Sequence, residues 1–129
     1  MQQIRFHLAI PSKDIAESMA FYSMLGCKLG RFNDVYCIID FFGTQLVCHK
    51  TNEYDIVAQK GLYPRHFGII LQNTEYRYMA SFVERLKIDL DHKEFTRFKD
   101  TPNEHTTFFI KDPSHNLIEF KYYKDERAI

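Results

Sequence analysis

The 129-residue sequence has no Trp, five Gly, four Pro and three Cys, and carries no excess charge of either sign. Each shortage excludes something. The three cysteines, Cys27, Cys37 and Cys48, are odd in number and form no CxxC pair. That pattern supports neither a disulfide framework nor a zinc knuckle. Lys plus Arg and Asp plus Glu balance at 17 each, so no global basic field draws nucleic acid and no acidic tail repels it. A net charge of zero also gives little repulsion between copies, which is compatible with a homodimer. No apolar run approaches the roughly 18–20 residues that span a bilayer. The opening MQQIRFHLAI is too short and too interrupted by charge for a signal peptide. The expectation is a soluble, cytoplasmic protein.

What is present is aromatic and aliphatic. Twelve Phe, eight Tyr and 45% hydrophobic residues supply a core, which argues against disorder. The length suits one ordinary domain or two very small fused halves.

Residues 3–10 read as a strand. Pro11, Ser12 and Asp14 mark a turn and a helix start, with Ser12 as N-cap. Ile15, Met19, Ala20, Tyr22 and Met24 recur at helical spacing between Asp14 and Leu25, and Gly26 is placed to end that helix. Strands are expected at 27–31, 35–42 and 44–50, with Asn33–Asp34 and Gly43 as turns. Residues 51–63 read as a linker with one irregular helical turn. The pattern then restarts: a strand over 65–72, Asn73 as helix cap, a helix over 76–86, and strands near 92–98, 106–111 and 116–123. Asp112–Pro113–Ser114 reads as a turn.

The order is therefore a βαβββ unit, present twice. HLAI at 7–10 aligns with HFGI at 66–69, and QLVCHK at 45–50 with NLIEFK at 116–121. Side chains alternate faces along a strand, so His7, His66 and Glu119 each lie opposite a row of bulky apolar neighbours. A lone strand His is ordinarily a polar residue on a solvated face. The matching positions of His7 and His66 in both repeats, joined by Glu119, favour a metal ligand set instead. The repeat alignment pairs Cys48 with Glu119, although a lone Cys in an apolar strand reads first as a small buried residue and only second as a ligand or reactive thiol.

Across nearly its whole length the chain resembles the vicinal oxygen chelate superfamily, the glyoxalase/bleomycin resistance protein/dioxygenase group. FHLAIPSKDIAESMAFYSMLG, RHFGII and FFIKDPSHNLIEFKYY carry the resemblance. It implies an α+β fold: two βαβββ modules forming a curved, cup-like mixed sheet with helices on the convex side. The whole of 1–129 is then one domain, with module 1 at about 1–50, a linker at about 51–63 and module 2 at about 64–124. It also implies metal ligands at His7, His66 and Glu119. Glyoxalase-type members add a Glu on the last strand of the first module, where the alignment puts Cys48 as a possible fourth position. The dioxygenases use a His and a Tyr as acid–base groups. Phe108 and Phe109 occupy the strand that should supply the Tyr, which leaves Tyr36, His49 and His105 as substitutes and the acid–base residue unassigned.

Two imidazoles and one carboxylate leave a divalent ion (Fe(II), Mn, Ni or Zn) with open positions for a substrate bearing two neighbouring oxygens. The expected function is a metal-dependent enzyme on such a small molecule, with dioxygenase-like chemistry ahead of a lyase, isomerase or transferase. The alternative is a non-catalytic drug- or metabolite-binding resistance protein using the same cup. His92, His105 and His115, near turns, read as solvated. The Phe41–Phe42 and Phe108–Phe109 pairs read as core or pocket wall, since no basic patch makes them a nucleic-acid platform.

Overall fold

The computed structural model describes residues 4–56 and 65–129. The strands are β1 (His7–Ser12), β2 (Lys28–Phe32), β3 (Tyr36–Phe41), β4 (Thr44–Lys50), β5 (Phe67–Ile70), β6 (Leu90–Arg97), β7 (His105–Lys111) and β8 (Leu117–Tyr123). The helices are α1 (Ile15–Met24) and α2 (Asn73–Arg85), with single 3-10 turns at Glu53–Asp55 and Glu126–Ala128. The expected α+β pattern of two βαβββ modules is present. Each module builds its own four-stranded mixed sheet, ordered β1-β4-β3-β2 and β5-β8-β7-β6. The part of the expected linker at 57–63 lies outside the described residues. None of the described helices is long and apolar enough to cross a membrane.

The chain divides into two compact units: Met1–Ala58 with Asp112–Asn116, and Gln59–Lys111 with Leu117–Ile129. In the first, β1 runs parallel to β4 and β3 antiparallel to it. β1 extends through Pro11 and Ser12, where the sequence reading placed a turn. As a sheet edge it tolerates the missing Pro11 N–H. The α1 cap is Asp14, whose carboxylate accepts from Glu17 N–H at 2.9 Å. Ser12, the expected cap, instead bonds Ser18 Oγ at 2.6 Å. The side chain of Ser12 points inward from an extended strand, so its hydroxyl meets the next turn of the helix rather than the first free N–H groups. Gly26 ends α1 with φ +105°. The core lies between α1 and one sheet face: Ile15, Phe21, Tyr22, Ile39, Phe41, Leu46 and Cys48 are buried.

The turn Asp112–Asn116 belongs to this first unit. Asp112 accepts from Ser114 N–H, Asn116 N–H, Asn116 Nδ2 and the Tyr22 hydroxyl, the last at 2.7 Å. Burial pushes its carboxyl above the usual range, and these donors pull against that.

In the second unit β5 runs parallel to β8, and β7 lies antiparallel between β8 and β6. The cap of α2 is Gln72, one residue before the expected Asn73, and Gln72 N–H donates to Glu75 Oε1 at 3.2 Å. Tyr76, Met79 and Val83 bury the apolar stripe of α2. Tyr76 meets Phe108 and Tyr122 with ring centroids 5.4 and 4.8 Å apart. Gly68 is required where β5 approaches β8: a Cβ there would collide with the Glu119 carbonyl oxygen.

Candidate functional site

Each sheet has a helix-covered face and an open face, and alternation decides which side chain goes where. In the first unit Leu46 and Cys48 point toward α1, so Gln45, Val47 and His49 take the open face of β4. His7 is the register partner of Gln45. Its Nδ1 lies 2.7 Å from Gln45 Oε1. An amide oxygen only accepts, which assigns the proton to Nδ1 and leaves the Nε2 lone pair free. A cavity of about 320 Å³ opens beside His7, lined by Phe6, Lys28, Gly30, Ile38 and Gln45 among others.

In the second unit His66 and Glu119 meet on the open face, with Nε2 and Oε1 3.3 Å apart. Glu119 is only 8% exposed, so its carboxylate needs partners to offset lost hydration. Thr107 Oγ donates to Glu119 Oε2 at 2.7 Å. Lys121 Nζ stands 3.7 Å from Oε1. Phe109, directly opposite Glu119 in the register, sits edge-on to the His66 ring at 5.2 Å. Phe95 stacks on Phe109 at 12° between planes, and His92 meets the same ring at 5.7 Å. The result is a carboxylate–imidazole pair against an aromatic wall.

A crystal structure of a glyoxalase/bleomycin resistance protein/dioxygenase from Alicyclobacillus acidocaldarius is 41% identical to this sequence. The match covers 98% of this chain and 96% of that one, with a TM-score of 0.91. The chain belongs to the glyoxalase/bleomycin resistance protein/dioxygenase family. Solved structures of much lower identity share the fold. The fosfomycin resistance protein FosX from Listeria monocytogenes is 13% identical over the full length of both chains, with a TM-score of 0.76. A lactoylglutathione lyase from Agrobacterium tumefaciens is 17% identical over 94% of each, with a TM-score of 0.66. No family model and no curated protein matches the sequence.

Several expected roles shift once this family's strands are in register. Leu8 pairs with Leu46 and Ala9 with Val47, while Phe67 pairs with Ile118 and Gly68 with Glu119. With His7 matched to His66, the counterpart of Glu119 is Val47, not Cys48. The sequence alignment was one residue out of step, and a one-residue slip moves a side chain to the other face. Cys48 is fully buried on the α1 side. Burial pushes its thiol far above the ordinary range, with Cys37 beside it adding to the rise, and a protonated thiol is a poor ligand.

The candidate acid–base residues lie farther along the strands. Tyr36 and His49 are cross-strand partners on the open face of the first unit, four residues from Gln45 or about 13 Å at strand rise. His105 is four residues from Phe109 on β7. Contrary to the solvated reading it is 8% exposed, held against Tyr123 at 4.8 Å and bonded through Nδ1 to Asn103 O. His92 is likewise half-buried beside Phe95 and Phe109 rather than solvated. His115, at φ +67° in its turn, is exposed as expected. Phe108 belongs to the core under α2 and Phe109 to the site wall.

The donor chemistry fits a divalent cation. Two ligands about 2.1 Å from one ion at right angles stand about 3 Å apart, close to the 3.3 Å between His66 Nε2 and Glu119 Oε1. Among the described residues, no group of three or more His, Cys, Asp or Glu side chains is already gathered for a metal. The sequence reading missed Gln45, Thr107 and Lys121.

Proposed function

We propose that this family member is a metal-dependent enzyme acting on a small substrate with two neighbouring oxygens, and that His7, His66 and Glu119 hold the metal. The observation that carries the reading is the approach of His66 Nε2 to Glu119 Oε1 at 3.3 Å on a buried carboxylate. His7 is the repeat counterpart of His66, with Nε2 left free by its bond to Gln45. Fe(II), Mn, Ni and Zn all suit such a donor set. A bound ion would supply Lewis acidity for charge developing on substrate oxygen.

The protein's own residues do the rest. Gln45 fixes the His7 ring and its tautomer. Phe95 and Phe109 form a wall suited to a flat, apolar substrate body. Lys121 places a positive charge beside the carboxylate, where it favours an anionic substrate oxygen. An apolar Val47 at the fourth-ligand position leaves a three-ligand set. That, with the aromatic wall, puts dioxygenase-like chemistry ahead of lyase, isomerase or transferase chemistry. Pairing of two copies as a homodimer is part of the proposal and is read from the mass in light scattering.

A second reading, a binder of flat apolar molecules without chemistry, is favoured by the same wall. Metal content separates the two. Protein purified without chelator should carry close to one equivalent of divalent metal, and His66→Ala should carry almost none. Failure of the wild type to take up any of the four metals would select the binder.

A further inference from the structure

Thr107 is the only described hydroxyl bonded to the Glu119 side chain, and it is completely buried. Its single proton has two acceptors within reach, Glu119 Oε2 at 2.7 Å and the Phe120 carbonyl at 3.1 Å. The shorter, charged acceptor is the stronger one. The carboxylate is thereby divided. Oε2 is held by Thr107, whereas Oε1 faces His66 Nε2 at 3.3 Å and Lys121 Nζ at 3.7 Å.

We infer that Thr107 is a positioning residue that turns Glu119 into a one-oxygen ligand presented through Oε1; this rests on the metal reading above. Without the hydroxyl, the Glu119 side chain can rotate its carboxylate toward Lys121 or offer both oxygens, and the Oε1–His66 alignment is lost. The strands themselves do not need the hydroxyl. Thr107 is backbone-paired with Lys121 by register, and Val has nearly the same shape and the same liking for strands. Outer partners of metal ligands typically change affinity by about 10–100-fold.

The test is a Zn²⁺ titration of metal-stripped protein against a chromophoric chelator, with thermal unfolding of the stripped protein run in parallel. Thr107→Val should weaken Zn²⁺ binding about 10- to 100-fold, and Thr107→Ser should stay within about 3-fold of wild type because it keeps the donor. A purely structural role predicts a lowered melting temperature for Thr107→Val with unchanged Zn²⁺ affinity, which overturns the inference and leaves the metal reading standing. A wild type that binds no Zn²⁺, Mn²⁺, Ni²⁺ or Fe²⁺ overturns both. If Thr107→Val does not fold, Thr107→Ala, which also lacks the hydroxyl, takes its place with the same expected loss and the same overturning result.

Discussion

The two βαβββ units use the same strand positions for different purposes. On the helix side the correspondence is conservative in kind: Leu46 matches Ile118 and Cys48 matches Phe120, all buried. On the open side it is not. Val47 stands where Glu119 stands, Gln45 where Leu117 does, and Tyr36 and Ile38 where Thr107 and Phe109 do. Each unit supports its His from β4 or β8, the first with the neutral amide of Gln45, the second with the carboxylate of Glu119. The helix-facing row is bound by the need to exclude water, so its character persists. The row facing away from the helix is also largely buried, at Val47, Thr107, Phe109, Leu117 and Glu119, but its partners differ, and there the second unit sets Glu119 beside Lys121.

The largest expected break in this comparison is at the strand approach. Ala9 occupies in β1 the position that Gly68 occupies in β5. Because the missing Cβ of Gly68 would collide with Glu119 backbone, Gly68→Ala should destabilise by about 3 kcal/mol or more in urea unfolding. Ala9→Gly should lower stability by only about 1 kcal/mol, through chain entropy. Equal losses would mean that β5 comes no closer to β8 at Gly68 than β1 comes to β4 at Ala9.

The helix tyrosines give a smaller contrast. Tyr22 donates to buried Asp112, while the Tyr76 hydroxyl, buried beside Glu94, makes no well-formed hydrogen bond among the described residues. Tyr22→Phe should therefore lower stability by about 1–2 kcal/mol, and Tyr76→Phe should remain within about 0.5 kcal/mol of wild type. A larger loss at Tyr76 would show that its hydroxyl has a partner.

The open-face difference can be sharpened by erasing it. Val47→Glu installs a carboxylate at the counterpart of Glu119 and should strengthen Mn²⁺ binding roughly tenfold, about 1.4 kcal/mol. Gln45→Ala frees the His7 ring and should weaken it by up to about tenfold. Both are read by calorimetry. A Val47→Glu variant with unchanged affinity would mean that Val47 is not the position that decides the number of ligands.

Much of this was legible in the sequence. The βαβββ duplication followed from helical and strand periodicity, and β4 was bounded correctly because Gly43 and the polar stretch after Lys50 frame it. Alternation along the strands sets His66 and Glu119 each opposite an apolar row, and their side chains stand 3.3 Å apart. The buried place of Cys48 is legible from its type, but its pairing with Glu119 is not the observed one, since two short apolar runs, QLVCHK and NLIEFK, align almost as well one residue out of step, and only the parallel pairing with β1 and β5 fixes the register. Thr107 was within reach. The Asp112–Asn116 turn sets β7 against β8 so that Phe109 faces Glu119, and Thr107 is the next residue of the same parity. Lys121 follows from the same alternation along β8. The burial of His105 was not legible, because it depends on Tyr123 and Phe98 meeting its ring, contacts that neighbouring residues in sequence do not announce.

The most direct test of the account is anomalous diffraction from a crystal grown with Mn²⁺. One strong peak bonded to His7, His66 and Glu119 Oε1 together, at about 2.2 Å from each, is the result it predicts. A peak that leaves out His66 and Glu119, or no peak under saturating Mn²⁺ with those side chains well ordered, would contradict it.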